Sequence, residues 1–529
     1  MRMLQVEAIN IWSDASDFLN NKEINYSGVF IPTDKLWSTQ YELLKKKASS
    51  ALLKMNVELV FGYHILERFL QVVEYRARRE KTLNNFLKID IDKQTESDLV
   101  YELADSWGLN PRFYSLRSLC ISVKEKWRDL VDSISRNDVA SENSLMTIDG
   151  NNIIYKISEA AVTVNTYFGQ HDHIWTLLFD ELELAPPEIV QNLVEIMRGG
   201  PINLNFKLSM SPYHRGVAIA GNSTGQMRNH DFEYIDLTHI KDNSASIDFS
   251  KELAIKVLNK NPGESSFSEF FESPKKPNFR EAFESLEKKD ESFKKYLDKI
   301  GINAKNWEDY PEKKRTEIRR FQYVAFLRDQ FFAQGMKKRT IKRPLNYYSG
   351  GAAIFKALEF NPRMIISFFN SLIEKTGSEG AFSVHDQLDS LKEMRISFEA
   401  LINTISLDIG QHGSLLSLVS KIGNEFSEGV IGLEFRSEPS GSFIVTEDTP
   451  SELVDAIGLG VNSGAFIKVV DNTDESRSGG KIVGQRFRLS FLFAHKFRLP
   501  LQLMRACNLL ELLSKKSDSS KVHRQIPLI

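Results

Sequence analysis

Cysteine is the scarcest informative residue in this chain: only Cys120 and Cys507 occur in 529 residues. Two thiols so far apart build neither a disulfide framework nor a cysteine-based zinc site, and a reducing, cytoplasmic setting is expected. Long apolar runs are also missing. None approaches the roughly 18 residues of a membrane-spanning helix. The opening MRMLQVEAINIWSD turns acidic where a secretory leader would stay apolar and then present small residues for cleavage. Neither secretion nor a membrane partner is expected. Charge of one sign is lacking as well, with 68 Lys and Arg against 70 Asp and Glu and a net charge of -2. That balance excludes a uniformly basic nucleic-acid binder but leaves room for local concentrations of charge. His171 and His173 lie two apart without a third or fourth clustered ligand, so no metal centre is indicated there. There is no Ser/His/Asp or Cys/His constellation, internal repeat or long low-complexity tract.

At 42% hydrophobic the composition is that of a soluble globular protein, and the length exceeds what one core fills, so two to four domains are expected. Met3, Leu4, Val6, Ile9, Ile11 and Trp12 have helical spacing, which predicts a helix from Met1 to about Phe18. GVFIPTD, Gly28 to Asp34, reads as a buried strand running into a loop. Helical periodicity then dominates, over Ala51 to Arg79 and Leu116 to Ile134 in particular, interrupted by the polar segment Asp90 to Asp98. HIWTLLFDELE, His173 to Glu183, is the clearest central strand, an apolar run that stops at carboxylates. Pro186 and Pro187 open a helix that ends near Gly199 and Gly200. NLNFKLSMS (Asn203 to Ser211) and FEYIDLTHI (Phe232 to Ile240) read as further strands. Strands separated by helical patterns imply a parallel α/β sheet. From Lys241 to Arg343 the chain turns charged and helical. Asn361-Pro362-Arg363 then supplies a cap, a proline and a first-turn arginine for another helix. Beyond Gly377 helices give way to a hairpin, with strands over Ala465 to Asp471 and Gln485 to Phe493.

A buried strand ending in Asp-Glu suits nucleotide hydrolysis. Asp180 would hold magnesium through its water shell and Glu181 would orient and activate the attacking water, both at the carboxyl edge of a parallel sheet where ligands bind. The same pair also suits the acidic lead-in to a helix such as the one beginning at Pro187.

Taken in order along the chain, LLFDE, NFKLSMS and NPR resemble the origin-recognition, or initiator-clade, AAA+ P-loop ATPases. The resemblance implies an AAA+ parallel-sheet core over residues 1–240, a helical insertion and lid over 241–376, a winged-helix-like domain over 377–515, and a basic tail over 516–529. It makes LLFDE, Leu177 to Glu181, the Walker B strand, and Ser209 or Ser211 a polar sensor of the terminal phosphate. Arg363 becomes a second sensor on the lid, where a planar guanidinium can grip phosphate oxygens. Arg228 is the candidate arginine finger acting across a subunit boundary, with Arg215 a weaker choice. Each also has an ordinary reading: turn hydroxyls for the serines, a helix-start arginine for Arg363 and a solvated loop residue for Arg228. ATP and Mg2+ are the implied cofactors, and a homo- or hetero-oligomer the implied assembly.

The departure from that family is the absence of GxxxxGK[ST] from the chain; SRSGGKIVG, Ser476 to Gly484, has the wrong spacing and GNSTGQ, Gly221 to Gln226, has no lysine. Because that loop supplies most of the phosphate binding, the chain as given is expected to be inactive, and the reading frame is expected to continue upstream through a strand and P-loop. Two readings stay open: an ATP-hydrolysing protein that couples nucleotide state to subunit or DNA contacts, and a catalytically inactive scaffold with the same fold. A third is a defence or signalling ATPase whose C-terminal domain binds protein. Glu312 to Arg343 has eleven basic residues against three acidic, and Gly484 to Arg524 nine against two. In the second, Arg486, Arg488, Lys496 and Arg498 are candidate contacts to double-stranded DNA.

Overall fold

The apolar run found between His173 and Asp180 organises everything around it. In the computed structural model, β1 (Tyr26–Pro32), β2 (Ile174–Asp180) and β3 (Leu204–Leu208) form a parallel sheet in the order β1-β2-β3. The structure describes residues 2–12, 24–33, 50–78, 83–84, 86–136, 153–213, 233, 235, 243–258, 270–272, 277–305, 310–331, 346–377, 381–409, 412–469 and 481–514. It divides into two units, Met1–Ile235 and Asp236–Ile529.

In the first unit β2 is paired on both sides and buried at all five interior positions, which is why its sequence does not alternate. Trp175, Leu177 and Phe179 join a core with α2 (Ser50–Ala77), α3 (Lys93–Ser106), α4 (Leu116–Arg136), α5 (Ile153–Tyr167) and α6 (Pro187–Gly199). Each such large side chain contributes about 2 kcal/mol by leaving water. On β1, Gly28 lets the chain entering α1 (Val6–Ile11) lie against the strand: a Cβ there would stand 2.1 Å from the Leu4 carbonyl oxygen.

Several expectations shift in detail. The first helix is shorter than predicted: a turn of 3-10 helix over Arg2–Leu4 leads into α1, and Trp12 is already extended. The segment Asp90 to Asp98 is not merely an interruption, because Asp92 caps α3 by accepting from the Thr95 N–H at 2.7 Å. The strand expected over Phe232 to Ile240 falls almost wholly outside the described residues.

The second unit begins with helices α7 (Asn243–Val257), α8 (Phe279–Lys289), α9 (Glu291–Ile300) and α10 (Glu312–Phe331). Phe283, Phe293 and Phe321 pack ring against ring where α8, α9 and α10 meet. Then come α11 (Gly351–Ala357), α12 (Pro362–Thr376), α13 (Val384–Asn403), β4 (Ser406–Ile409), β5 (His412–Ser414), α14 (Leu415–Ile431), β6 (Ser440–Ile444) and α15 (Ser451–Ser463). The expected hairpin is present as antiparallel β7 (Phe466–Val469) and β8 (Arg486–Leu489). Its second strand stops earlier than predicted, because the Ser490 hydroxyl accepts from the Leu492 N–H and starts a 3-10 turn over Phe491–Phe493. That turn runs into the single helical turn α16 (Ala494–Phe497). β9 (Arg505–Asn508) and α17 (Leu509–Ser514) follow, and the sheet order is β7-β8-β6-β9, with β9 parallel to β6.

A buried ion pair ties this unit together. Asp290 caps α9 and accepts from the Arg328 guanidinium, and the two side chains are 2% and 0% exposed. Arg328 also donates to the carbonyls of Gly432 at 2.7 Å and Leu433 at 3.1 Å, just beyond α14. Removing one member leaves the other charge buried and alone. Asp290→Ala is expected to lower unfolding free energy by about 3 kcal/mol in urea titrations. A change within about 0.5 kcal/mol, as an ordinary surface site would give, would contradict this role.

Candidate functional site

Beyond the carboxyl ends of β1, β2 and β3 the backbones remain tied together. The Thr33 N–H donates to the Asp180 carbonyl at 3.0 Å, Ser209 N–H to Phe179 at 2.9 Å, and Leu182 N–H to Ser209 at 3.1 Å. The strand ends are therefore held in register just where the carboxylates emerge. Asp180 is half-buried opposite Pro32, and Glu181 is exposed. Glu181 has φ 58 and ψ 40, the left-handed region, which a non-glycine residue enters at a cost of about 1 kcal/mol. Its side chain thereby leaves the line of the strand, and the chain enters the turn Leu182–Leu184 and then α6. Neither carboxylate has a hydrogen bond or ion pair among the described residues.

Ser209 and Ser211 lie beside this turn, both half-buried. Ser211 is committed: its N–H donates to Glu183 at 3.1 Å and its hydroxyl to the other Glu183 oxygen at 2.7 Å. Glu183 was not singled out from the sequence, although it is the third acid of DELE. It fastens the segment after β3 to the turn after β2. Thr33 was missed too; its hydroxyl oxygen is buried without a partner at the same edge of the sheet. Asp180, Glu181, Ser209 and Ser211 are thus brought together within the first unit.

Arg363 belongs to the second unit. It stands exposed in the first turn of α12, where Asn361 caps the helix by accepting from the Arg363 N–H at 3.0 Å, and its guanidinium has no partner among the described residues. Arg228 and Arg215 lie outside the described residues. The paired oxygens of Asp180 and Glu181 and the unsatisfied Thr33 hydroxyl fit a hydrated magnesium ion with a phosphate: hard oxygen donors at a sheet edge, two of them unneutralised.

His173, just before β2, has a structural role. His173 is buried, its Nε2 is 2.9 Å from the Ser27 hydroxyl, and its ring meets Trp175 edge-on. Among the described residues no cluster of three potential metal ligands occurs. Burial, with a smaller contribution from the charge of Arg76, lowers the His173 pKa from 6.5 to about 4. Arg76 is itself buried, donating to the Leu87 carbonyl at 3.0 Å and to Gln170 and facing the rings of Phe168 and Trp175.

The basic residues of the C-terminal hairpin are also occupied. Arg488 makes two 2.7 Å hydrogen bonds to the Glu359 carboxylate and lies over the Phe491 ring. Arg486 donates to the Ser442 hydroxyl and the Met504 carbonyl, Lys496 pairs with Glu399, and Arg498 is largely buried over Phe331. The three arginines are thereby engaged within the second unit, while Lys496 stays partly exposed beside Glu399. Lys481 and Arg505 are exposed and without partners among the described residues.

The geometry defines an α/β protein with a free carboxylate pair at the carboxyl end of a central parallel strand. The chain belongs to the ORC-CDC6-like family, whose model matches residues 1–509, and so to the AAA+ ATP-binding proteins. No curated protein and no solved structure matches it. Among the described residues no helix is long and apolar enough to cross a membrane.

The depressed pKa of His173 has a consequence for stability. Its contribution is fully present above the unfolded value of 6.5 and is lost as pH falls toward the folded value of about 4. Between about pH 7 and about pH 5 the parent is expected to lose about 2 kcal/mol more than His173→Gln in urea unfolding. Parallel pH profiles would show that the imidazole charges freely inside the fold.

Proposed function

We propose that this protein is the nucleotide-handling subunit of an AAA+ assembly, in which ATP state is coupled to subunit or DNA contacts. The observation that carries this reading is the unneutralised pair Asp180 and Glu181 at the carboxyl end of the central strand, beside Ser209. Asp180 would hold Mg2+ through water, Glu181 would take the proton of the attacking water, and Ser209 would sense the terminal phosphate, a role Ser211 could take only by releasing Glu183. Arg363 is the proposed second sensor on the lid helix, and Arg228 the proposed arginine finger for a neighbouring subunit's site. In this reading residues 1–240 are the core, 241–376 the insertion and lid, and 377–515 a winged-helix-like domain whose wing is the β7–β8 hairpin. Two free cysteines suit a cytoplasmic protein.

The absence of GxxxxGK[ST] from the sequence favours a second reading, an inactive scaffold of the same fold. Titration with Mg·ATP separates them. The 529-residue chain is expected to show neither tight binding nor turnover. In a form carrying a P-loop ahead of α1, ATP should be hydrolysed. Glu181→Gln should then keep nucleotide while losing most turnover, and Arg363→Ala should lower turnover far more than stability. Equal turnover in Glu181→Gln and parent would overturn the assignment of the base. Binding without turnover in the parent would favour the scaffold.

For DNA, weak duplex binding with a salt slope of several units is expected of the full chain. Lys481→Glu with Arg505→Glu should weaken it without altering stability, whereas Arg488→Ala should cost about 2 kcal/mol of stability because Glu359 loses its cationic partner and keeps only the Phe491 N–H. No duplex binding at about 50 mM salt would remove DNA from the proposal.

A further inference from the structure

The turn that delivers α12 is held in a conformation its own residues disfavour. Glu359 and Phe360, between α11 and α12, have φ 55 and 53, and among the described residues no other two neighbours share a positive φ. With the Asn361 N–H donating to the Leu358 carbonyl at 3.0 Å, they stand at the two central positions of a turn in which both residues are left-handed. Asn-Gly suits those positions. A glutamate followed by a phenylalanine is strained at both, because each Cβ crowds the carbonyl that follows it.

Such a conformation persists only where the surroundings enforce it. Here the enforcement comes from a segment distant in sequence. Arg488 of β8 donates to both Glu359 oxygens at 2.7 Å, and the Phe491 N–H donates to one of them at 2.6 Å. Both charged side chains are only 15% exposed, so salt and solvent screen this pair less than they would a surface pair.

What the clasp holds is passed to α12 with little slack. Asn361 precedes a proline, which keeps it extended at φ -75 and ψ 119, and the ring of Pro362 fixes the next φ. The Asn361 side chain then accepts from the N–H groups of Arg363 and Met364. Pro362 and Arg363 are exposed, and the buried positions of α12 begin at Ile365. The first turn of the helix therefore depends on the turn before it more than on packing.

We propose that Glu359 and Arg488 form a latch through which the β7–β8 hairpin controls the position of Arg363. While β8 holds Glu359, the left-handed turn stands and Arg363 is fixed in place; when β8 shifts, the turn relaxes and the start of α12 loosens. That Arg363 meets nucleotide rests on the nucleotide reading, whereas the latch is a property of the second unit alone and is tested without nucleotide.

Hydrogen exchange of the full chain, followed by mass spectrometry, provides that test. The N–H groups of Phe360, Asn361, Arg363, Met364 and Ile365 all have acceptors within residues 355–361 and report the opening of this segment. Arg488→Ala is expected to speed exchange over residues 360–365 by about tenfold or more. In a Phe360→Gly background, where a glycine adopts the left-handed conformation freely, the same substitution should speed it by less than about threefold. A fold merely weakened by the loss of an ion pair would show equal acceleration in both backgrounds. Should Arg488→Ala fail to fold, Arg488→Lys, which keeps the charge but loses the two-pronged geometry, is compared in the same two backgrounds, with about threefold acceleration expected in the first and none in the second. The latch is overturned if the Arg488 substitution leaves exchange over residues 360–365 as in the parent, or if its effect is the same with and without Phe360→Gly.

Discussion

The first unit depends on one strand being paired on both sides. Because β2 has β1 and β3 as hydrogen-bonded neighbours, its backbone polar groups are satisfied while both its faces are covered by apolar side chains. That arrangement lets five consecutive residues be buried and brings the strand to an end at Asp180, where burial stops. A carboxylate placed two residues earlier would be enclosed in the core at a cost of several kcal/mol. The chemistry at the sheet edge is thus positioned by the limit of what the core can bury.

The links that carry the strand ends past the sheet are polar and local. Glu183 receives both donors of Ser211, and the peptide groups of Thr33, Leu182 and Ser209 continue the pairing beyond the ladder. They leave Asp180 and Glu181 without internal partners. An acidic pair kept free beside a tightly bonded frame is the arrangement a metal–phosphate ligand needs, since the ligand then meets groups already oriented and not neutralised.

The second unit uses its charges differently. Arg328 and Arg488 both bridge separate elements through carboxylates and carbonyls, and the aromatic rings of Phe283, Phe293 and Phe321 fill the space between α8, α9 and α10. Part of the Lys and Arg content of this unit is therefore engaged in its packing. Among the described residues, exposed and unpaired side chains such as Lys481 and Arg505 remain available for an external phosphate.

Periodicity and punctuation in the sequence were enough to locate β1, β2, β3, the proline-led α6 and α12, and the β7–β8 hairpin, because each rests on a local signal: apolar continuity, helix caps or alternation. The order LLFDE, NFKLSMS, NPR was likewise legible, and with it the family. What the sequence could not specify were pairings between residues distant along the chain. Ser211 looked like a free hydroxyl until Glu183 was found 28 residues away. Arg488 looked open to DNA until Glu359 was found 129 residues away. The depressed pKa of His173 required the burial that Ser27, Trp175 and Arg76 create around it. Local propensity is written residue by residue, whereas whether a charge is spent or free depends on what the tertiary structure puts within 3 Å of it.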